Sequence, residues 1–506
     1  MKGNRGLIAF DDLNLSIISQ GFCTLCGACE AACPVHAIRM GENKLRYDDC
    51  SNFLDFCPIC YDICPHTEPL LMEAMKFVAG APIRRSTVGY YRKILLAQAV
   101  DPKIREISHS GGVVTTLLTQ AMENGTIDSA VVSQAEQYAP LKLKPQISLV
   151  PDDVLSAVDS KFSASSVARA FGNAVREYGK AKIAFVGVPH QVLAIRKLEA
   201  WEHKIMSSLE VTIGLFCLWV FSLNQLLSFL EKEFGVQHSD IIRMDLTEKY
   251  DVYTSQKAIE IPIEQIMPHI LNKCKTCMDF TSEFADISVG GAAPLKEWST
   301  VIIRTKKGEE LFRSALEREA VRTMKIEEQR DVFTHLLSMA MRKKMIALEE
   351  VRELRRKGFS IPPIDQALTF LQRETSIMTD VKVGDTMTRA VMTVGPQISV
   401  SQLLDVMTKH HHMGYPVVNE LGELVGIVTF EDIMKIPKEK RSEVLVDEIA
   451  KRKLVTAYPN DSLISAFEKM SEHKIGRLLI VDPQNPRKLH GILTRTDIMH
   501  TLGKQF

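Results

Sequence analysis

"KIAFVGVPHQVLAIRKLE", residues 182–199, joins an apolar run, a short turn with Gly187 and Pro189, and a stretch with the apolar spacing of a helix. This pattern predicts a buried strand that is followed directly by a helix, with His190 where the turn meets the helix. Similar apolar runs, separated by helical patterns, recur between residues 84 and 345: KILLAQAV, DSAVVSQ, KIAFVGVP, VTIGLFCLWV and ADISVGG. Strands that alternate with helices indicate an α/β domain.

The composition is typical of a globular protein with several domains. At 506 residues the chain is too long for one compact core. The 62 basic and 62 acidic residues cancel, so no general attraction to nucleic acid or to a membrane surface is expected. The first residues, MKGNRGLIAFDDLNLS, lack the apolar core of a signal peptide, so a cytoplasmic location is expected.

Residues 211–230 form the most apolar window of the chain, and their length matches a membrane span. Polar residues interrupt this window, among them Thr212, Asn224 and Gln225. The pattern therefore favours a buried strand followed by an amphipathic helix over a membrane span.

Eight of the eleven cysteines lie near the N-terminus in two sets, CTLCGACEAACP at residues 23–34 and CSNFLDFCPICYDICP at residues 50–65. The first set has the C-x2-C-x2-C-x3-C-P spacing of bacterial ferredoxins, and the second keeps the C-x2-C-x3-C-P ending after a longer first interval. Thiols stay reduced in the cytosol, which favours metal ligands over disulfides. A zinc site is the alternative, but the third cysteine of the run and the two Cys-Pro endings favour iron-sulfur clusters.

The resemblance to two-cluster ferredoxins implies two crossed sets of ligands for 4Fe-4S clusters. One set is Cys23, Cys26, Cys29 and Cys64, and the other is Cys50, Cys57, Cys60 and Cys33. Residues 1–83 are therefore predicted to form a small α+β bacterial-ferredoxin-like head that carries one electron at a time.

Five blocks follow one another between residues 84 and 345: SGGVVTTLLTQAMENGTIDSAVV, GVPHQVLAIRKL, IGLFCLWVFS, CKTCMDFTSEFADISVGG and WSTVIIRTKKGEEL. In this order they resemble the family of coenzyme F420 hydrogenase/dehydrogenase beta subunits. The resemblance implies an α/β flavin domain that binds FAD, usually with a further 4Fe-4S cluster, and that exchanges a hydride with coenzyme F420. A flavin converts between hydride transfer and single electrons, which links F420 to the clusters. No G-x-G-x-x-G signal for a nicotinamide cofactor follows a strand.

Glycine-lined segments are the predicted flavin contacts, because the backbone must approach the cofactor closely. They are Ser110, Gly111 and Gly112 before a predicted helix, and Asp286, Gly290 and Gly291 in DISVGG. The alternatives are a helix start that caps itself and an ordinary strand that ends in a turn.

Three cysteines remain outside the head: Cys217, Cys274 and Cys277. Members of the family usually add a fourth cysteine in a block of the form G-x-P-C-Q, and here that block reads GVPHQ, with His190 in its place. One interpretation is a third cluster on the three cysteines and His190, with a raised potential because imidazole is neutral. A second is a three-iron or labile cluster on three cysteines. In the third, the cysteines are buried apolar residues and His190 caps its helix.

The C-terminal part follows a charged helical stretch at residues 340–360, which the sequence IPP ends, so residues 346–378 are predicted to form a linker. Residues 379–506 contain a repeat of about sixty-five residues, with GIVTFED at 426–432 and GILTRTD at 491–497. The repeats resemble a tandem CBS (βαββα) pair. That resemblance implies that an adenine nucleotide binds to Thr429, Asp432, Thr494 and Asp497. A pair that only packs or forms a homodimer is the alternative.

A run of three histidines, His410, His411 and His412, lies in the first repeat. Consecutive residues of a helix point in different directions, so a single metal site is not predicted there.

The sequence thus predicts an α/β multidomain oxidoreductase that moves electrons between F420 and a one-electron carrier or redox subunit, through FAD and two or three clusters, under control of an adenine nucleotide. One alternative is the same flavin domain acting on another organic substrate. Another is a non-catalytic electron-transfer or sensing subunit of a larger complex. The direction of electron flow and the identity of the partner stay open.

Overall fold

The computed structural model describes residues 9–41, 44–48, 50, 57–78, 84–108, 110–136, 139–157, 163–246, 250–255, 257–358, 381–410, 412, 414–473, 475–494, 497–498 and 501. The chain divides into two compact units, residues 1–367 and 368–506. The predicted head and flavin domain therefore share one unit, and the predicted CBS pair lies in the other.

The first unit is a mixed α/β structure, as the sequence predicted. Its helices are α1 Ala9–Leu13, α2 Ala28–Ala32, α3 Ile59–Asp62, α4 Leu71–Lys76, α5 Pro102–Ile107, α6 Val113–Glu123, α7 Pro151–Leu155, α8 Val167–Arg176, α9 Pro189–Ala200, α10 Leu223–Phe234, α11 Ile263–Ile266, α12 Asn272–Lys275, α13 Lys306–Glu317 and α14 Arg330–Arg356. Its strands are β1 Ile38–Met40, β2 Leu45–Tyr47, β3 Arg84–Ser86, β4 Gly89–Tyr91, β5 Lys93–Ala99, β6 Ser129–Glu136, β7 Ala139–Ser148, β8 Ile183–Gly187, β9 Leu209–Leu215, β10 Ile241–Leu246, β11 Tyr250–Thr254, β12 Ala258–Ile261, β13 Ile287–Ala292, β14 Leu295–Ile303 and β15 Val321–Lys325.

An eight-stranded sheet forms the centre of this unit, in the order β15-β5-β14-β13-β9-β8-β6-β7. Strands β6, β8, β9 and β13 are parallel, and β5 runs in the same direction because β14 is antiparallel to both β5 and β13. Helices cover the sheet, so β5 and β8 are buried almost throughout, which explains their continuous apolar sequences. The ends of β5, β8, β9 and β13 therefore meet at one side of the sheet, which we call the carboxyl edge.

The apolar window at residues 211–230 is divided as the sequence predicted. Its first part lies in β9, and its second part lies in the amphipathic helix α10. No helix in the described parts of the chain combines the length and the hydropathy that a membrane span requires.

The cysteine-rich head packs against α8 and α9 of the core. Ala28, Ala31 and Ala32 of α2 belong to the same apolar cluster as Phe171 and Phe185. Backbone contacts add to this packing, since Ala168 N donates to Cys26 O at 3.2 Å. The head is thus built into the first unit rather than attached to it by a linker.

Helix α14 continues across the boundary at residues 345/346 that the sequence suggested. Ala347, Leu348 and Val351 lie beyond that boundary and are buried, while charged residues cover the outer side of the helix. The high charge of this stretch therefore reflects one exposed face of a packed helix, at least as far as Arg356. The predicted linker from 359 to 378 lies outside the described residues.

The second unit contains the two sequence repeats. Its strands are β16 Gly414–Val418, β17 Leu424–Thr429, β18 Thr456–Ala457, β19 Arg477–Val481 and β20 Leu489–Thr494, and its helices are Val383–Thr386, Val400–His410, Phe430–Met434, Val446–Ile449 and Leu463–Glu472. The repeats exchange their leading segments: Thr388 of the first repeat pairs with Ile492 of the second, and Lys451 of the second pairs with Ile427 of the first. Each repeat therefore completes the sheet of the other.

Candidate functional site

Four thiols of the head surround one cavity, which we call cavity I. The enclosed space is about 370 Å³, and its cysteines are Cys23, Cys26, Cys29 and Cys64. Leu25 and Gly27 adopt positive φ angles of 55° and 85°, which turns the backbone around the cavity. At Gly27 a side chain is also excluded, because a Cβ atom would lie 2.8 Å from Arg169 Cβ.

A second cavity of about 340 Å³, cavity II, is lined by Cys33, Cys50, Cys57 and Cys60. The Cys33 sulfur accepts a hydrogen bond from Ala37 N at 3.3 Å, and the hydroxyl of Tyr47 lies 3.2 Å from the Cys50 sulfur. The structure thus groups the eight thiols in the two crossed sets that the ferredoxin spacing implies. The two cavities have similar sizes, which fits two cofactors of the same kind.

The thiols of both cavities are poor acids in this environment. Burial, reinforced by the neighbouring Cys64, raises the pKa of Cys26 to about 12, and burial beside Cys57 raises the pKa of Cys60 to about 12. No three His, Cys, Asp or Glu side chains within the described ranges converge closely enough for a single metal ion. The thiols therefore suit a cofactor whose several irons offset the charge of four thiolates.

Cys217, Cys274 and Cys277 also come together, as a third cysteine group beside the carboxyl edge. Cys217 follows β9, and Cys274 lies in α12. Burial and the nearby Cys217 and Cys277 raise the pKa of Cys274 to about 12. Lys343 of α14 is buried at this group, and its Nζ atom donates to the carbonyls of Cys217 and Asp279, each at 2.6 Å.

His190 lies in the first turn of α9, and its buried Nε2 atom has no hydrogen-bond partner. Burial, together with Lys343, lowers the pKa of His190 to about 3, so the ring is neutral at physiological pH. The N-terminal cap of α9 is supplied by Gln191, whose Oε1 atom accepts from Val188 N at 3.0 Å. The interpretation of His190 as the helix cap is therefore wrong, because Gln191 has that role.

The predicted flavin segments meet at the carboxyl edge through Ser299 of β14. Ser299 pairs with Gly291 on one side and with Ala97 on the other. Its hydroxyl oxygen lies 3.0 Å from Ser110 Oγ and accepts from Gly111 N at 3.0 Å. Ser299 was not predicted as a site residue, since nothing in a buried strand sequence marks one serine as the contact between two loops.

The glycines of these segments differ in what surrounds them. A Cβ atom at Gly111 would lie 2.6 Å from Ala97 O, and one at Gly290 would overlap the ring of Phe216, so packing within the protein already requires both glycines. Gly112 begins α6 with a φ angle of 70°, and no side chain caps this helix. Only Gly291 of the predicted glycines faces open space, with no atom within 4 Å of its Cβ position.

Asp286 has a structural role in the sheet interior. Its carboxylate accepts from Thr212 N at 2.8 Å, Thr212 Oγ1 at 2.9 Å and Thr305 Oγ1 at 2.5 Å, and it pairs with Arg196 at 3.0 Å. Burial opposes its ionisation, but Arg196 and the hydrogen bonds hold the pKa of Asp286 below its usual value. Because both oxygens are bonded within the protein, we do not include Asp286 among the flavin contacts proposed below.

The Thr and Asp residues of the CBS repeats are arranged alike. Thr429 Oγ1 donates to Asp432 Oδ2 at 2.6 Å, and Thr494 Oγ1 donates to Asp497 Oδ2 at 2.8 Å. The buried Asp432 also pairs with Lys451 at 3.1 Å and with Lys435 at 3.3 Å.

The histidine run of the first repeat falls partly within the described residues. The side chains of His410 and His412 are exposed, and His411 lies outside the described residues.

Comparisons with family models match four parts of the chain. Residues 94–171 match "Coenzyme F420 hydrogenase/dehydrogenase, beta subunit N-term", and residues 180–329 match the corresponding C terminus. Residues 16–39, which contain the first cysteine set, match a 4Fe-4S binding domain. Residues 383–439 and 446–504 each match a CBS domain.

Whole-chain comparisons agree with these matches. The chain is 28% identical over 281 residues to the coenzyme F420 hydrogenase subunit beta of Methanothermobacter thermautotrophicus, covering 54% of this chain and 99% of the relative. It is 30% identical over 312 residues to a subunit of the F(420)H(2) dehydrogenase of Methanosarcina mazei, covering 58% and 83%. A chain of the F420-reducing [NiFe] hydrogenase complex from Methanosarcina barkeri is 30% identical, with a TM-score of 0.51 over 54% of this chain and 95% of that chain. The relatives are F420-linked oxidoreductase subunits, and this chain, which adds a pair of CBS domains, belongs to the family of coenzyme F420 hydrogenase/dehydrogenase beta subunits.

Proposed function

We propose that this protein transfers electrons between coenzyme F420 and a one-electron carrier or redox subunit, with FAD at the carboxyl edge and 4Fe-4S clusters in cavities I and II. One observation carries the proposal: α9 connects the carboxyl edge to the head. The helix begins at the carboxyl edge with His190, and seven residues later Lys197 donates to the carbonyl of the cavity I residue Cys64 at 2.7 Å. Seven helical residues correspond to a rise of about 10 Å, so the two sites are close neighbours.

The chain's own residues at the carboxyl edge fit a flavin dinucleotide. The N–H groups at the start of α6 have no side-chain cap, and such groups bind phosphate. Ser110 and Ser299 present hydroxyls beside them, and Gly291 leaves room for a flat ring. When bound, FAD would accept a hydride from reduced F420 and release the electrons one at a time.

The test of this function is anaerobic mixing of reduced F420 with purified, FAD-loaded protein. We expect the absorbance of oxidised F420 to rise while the flavin and the clusters bleach, and we expect NADH, the control donor, to bleach neither. If F420 is inert while flavin and clusters are intact, another organic substrate is the better hypothesis. Protein that holds clusters but no flavin would instead favour a non-catalytic electron-transfer subunit.

A third cluster at Cys217, Cys274, Cys277 and His190 is a further part of the proposal. The unpartnered, buried Nε2 atom of His190 and the buried ammonium of Lys343 support it, because an anionic cofactor at this point would engage both. A labile cluster on the three cysteines alone is the remaining alternative.

Iron analysis distinguishes the alternatives for the third cysteine group. With three clusters the protein should contain about twelve irons per chain, against about eight with two. We expect His190→Ala to lose the third cluster and His190→Cys to keep it at a lower potential, because a thiolate replaces a neutral ligand. Nitrogen hyperfine coupling to the reduced cluster should vanish in His190→Cys and persist in the control His238→Ala, whose histidine is exposed. About eight irons in the wild-type protein would exclude this cluster.

We also propose that the CBS pair binds an adenine nucleotide and thereby regulates electron transfer. The matching bonds of Thr429 with Asp432 and of Thr494 with Asp497 support two related sites. Titration calorimetry with AMP and ATP should show binding that Asp432→Ala and Asp497→Ala weaken, and the mixing experiment should change in rate when the nucleotide is present. Absence of binding would leave the pair as a packing or dimerisation module.

A further inference from the structure

Cavity I has a buried cation at its ligand Cys64. The side chain of Lys197 is fully buried, and its Nζ atom donates to Cys64 O and to Thr67 O, both at 2.7 Å. No carboxylate in the described parts of the chain lies within ion-pair distance of Lys197. Neutral carbonyls satisfy its hydrogen bonds but leave its charge uncompensated.

A second buried cation lies between cavity I and the third cysteine group. Lys273 of α12 is only 7% exposed, and its ammonium group lies 5.7 Å from the ring centroid of Phe22, the residue before Cys23. Burial lowers the pKa of Lys273 to about 8, while Cys277, Cys64 and Cys274 oppose that decrease. One ammonium group thus interacts with thiols of both sites.

Cavity II has no comparable charge. Its lining residues are cysteines, apolar residues and Tyr47. Other thiols, and no cation, accompany burial in raising the pKa of Cys60, whereas Lys197 and Lys273 both oppose the rise at Cys64. Two cavities of similar size, each with four cysteines, therefore differ in fixed positive charge.

We propose that Lys197 and Lys273 place the reduction potential of a cluster in cavity I above that of a cluster in cavity II. A reduced cluster carries one more negative charge than an oxidised one, and a nearby ammonium in a low-dielectric interior stabilises the reduced form. One electron then passes from the cavity II cluster, which is oxidised, to the cavity I cluster, which is reduced, with no bond or proton transferred. The electron settles on the side of the head that faces the core. This inference rests on the two-cluster head of the proposed function.

The test is an EPR-monitored redox titration of the loaded protein. In Lys197→Met the gap between the two midpoint potentials of the head should narrow by an amount equal to about a tenfold change in the transfer equilibrium, ~59 mV for one electron. Lys197→Arg should keep the wild-type gap, because it keeps the charge. Lys273→Met should shift the gap in the same direction as Lys197→Met, and the exposed Lys76→Met should leave it unchanged.

The iron content of the head separates failure of this inference from failure of the two-cluster head. About four irons in the head would refute the two-cluster head itself. With about eight irons, an unchanged gap in both Lys197→Met and Lys273→Met would overturn only the role of the lysines. Loss of the cavity I cluster in both methionine variants would also overturn it, since the lysines would then be needed for assembly rather than for the potential.

Discussion

Cys64→Ser protein is expected to lose the cavity I cluster and to keep the cavity II cluster, although Cys64 ends the second cysteine set of the sequence. The reason is geometric, because Cys64 lines the same cavity as Cys23, Cys26 and Cys29. A serine oxygen is a poor substitute for a thiolate at iron, so the iron content should fall by about four per chain. Electron transfer from F420 to the one-electron partner should fall almost to zero, while reduction of the flavin by F420 continues.

Cys33→Ser is the matched variant, because Cys33 also precedes a proline but lines cavity II. It should lose the other cluster, and the EPR signals that survive in the two variants should differ. If each cysteine run instead held its own cluster, the two variants would lose the opposite clusters. The crossed arrangement would then be wrong.

Arg196→Met is expected to cost about 3–5 kcal/mol in the free energy of unfolding of the first unit, because it leaves Asp286 buried without its cation. Arg196 connects three elements: it pairs with Asp286 at 3.0 Å, and it donates to Phe284 O at 2.8 Å and to Thr212 Oγ1 at 2.9 Å. Urea unfolding at neutral pH measures the loss. The control Glu199→Gln removes the other, more exposed partner of Arg196 and should cost about 1 kcal/mol or less.

The effect of Arg196→Met should depend on pH in a defined direction. The pKa of Asp286 is lowered in the folded protein, so ionisation of Asp286 stabilises the fold above the ordinary Asp value of about 4. That stabilisation is lost as the pH falls through the lowered folded-state pKa. The difference between wild type and Arg196→Met should therefore shrink on acidification, and a difference that is independent of pH would contradict the assignment.

Local sequence patterns predicted the elements of the core because burial on both faces gives each strand a continuous apolar run, as in β5 and β8. The crossing of the head cysteines was likewise predictable, since the spacing of the motif determines how the chain turns around a cluster. Both features depend on residues that are close together in the chain.

Contacts between distant residues were not predictable in the same way. Lys343 is 126 residues from Cys217, and a lysine within a charged helical stretch is normally exposed, so nothing marked it as a partner of the third cysteine group. For Asp286 the difficulty was the reverse. The sequence DISVGG shows a carboxylate before a glycine turn, but its partners Arg196, Thr212 and Thr305 come from other elements.

The exchange of leading segments between the CBS repeats has a consequence for synthesis on the ribosome. The sheet of the first repeat is completed at Ile427 by Lys451, which is translated only after the whole of that repeat. The first repeat of a nascent chain therefore has an unpaired strand edge until the start of the second repeat has left the exit tunnel. A frameshift or stop codon between the repeats would leave that edge open permanently, so the two repeats form one unit for quality control as well as for folding.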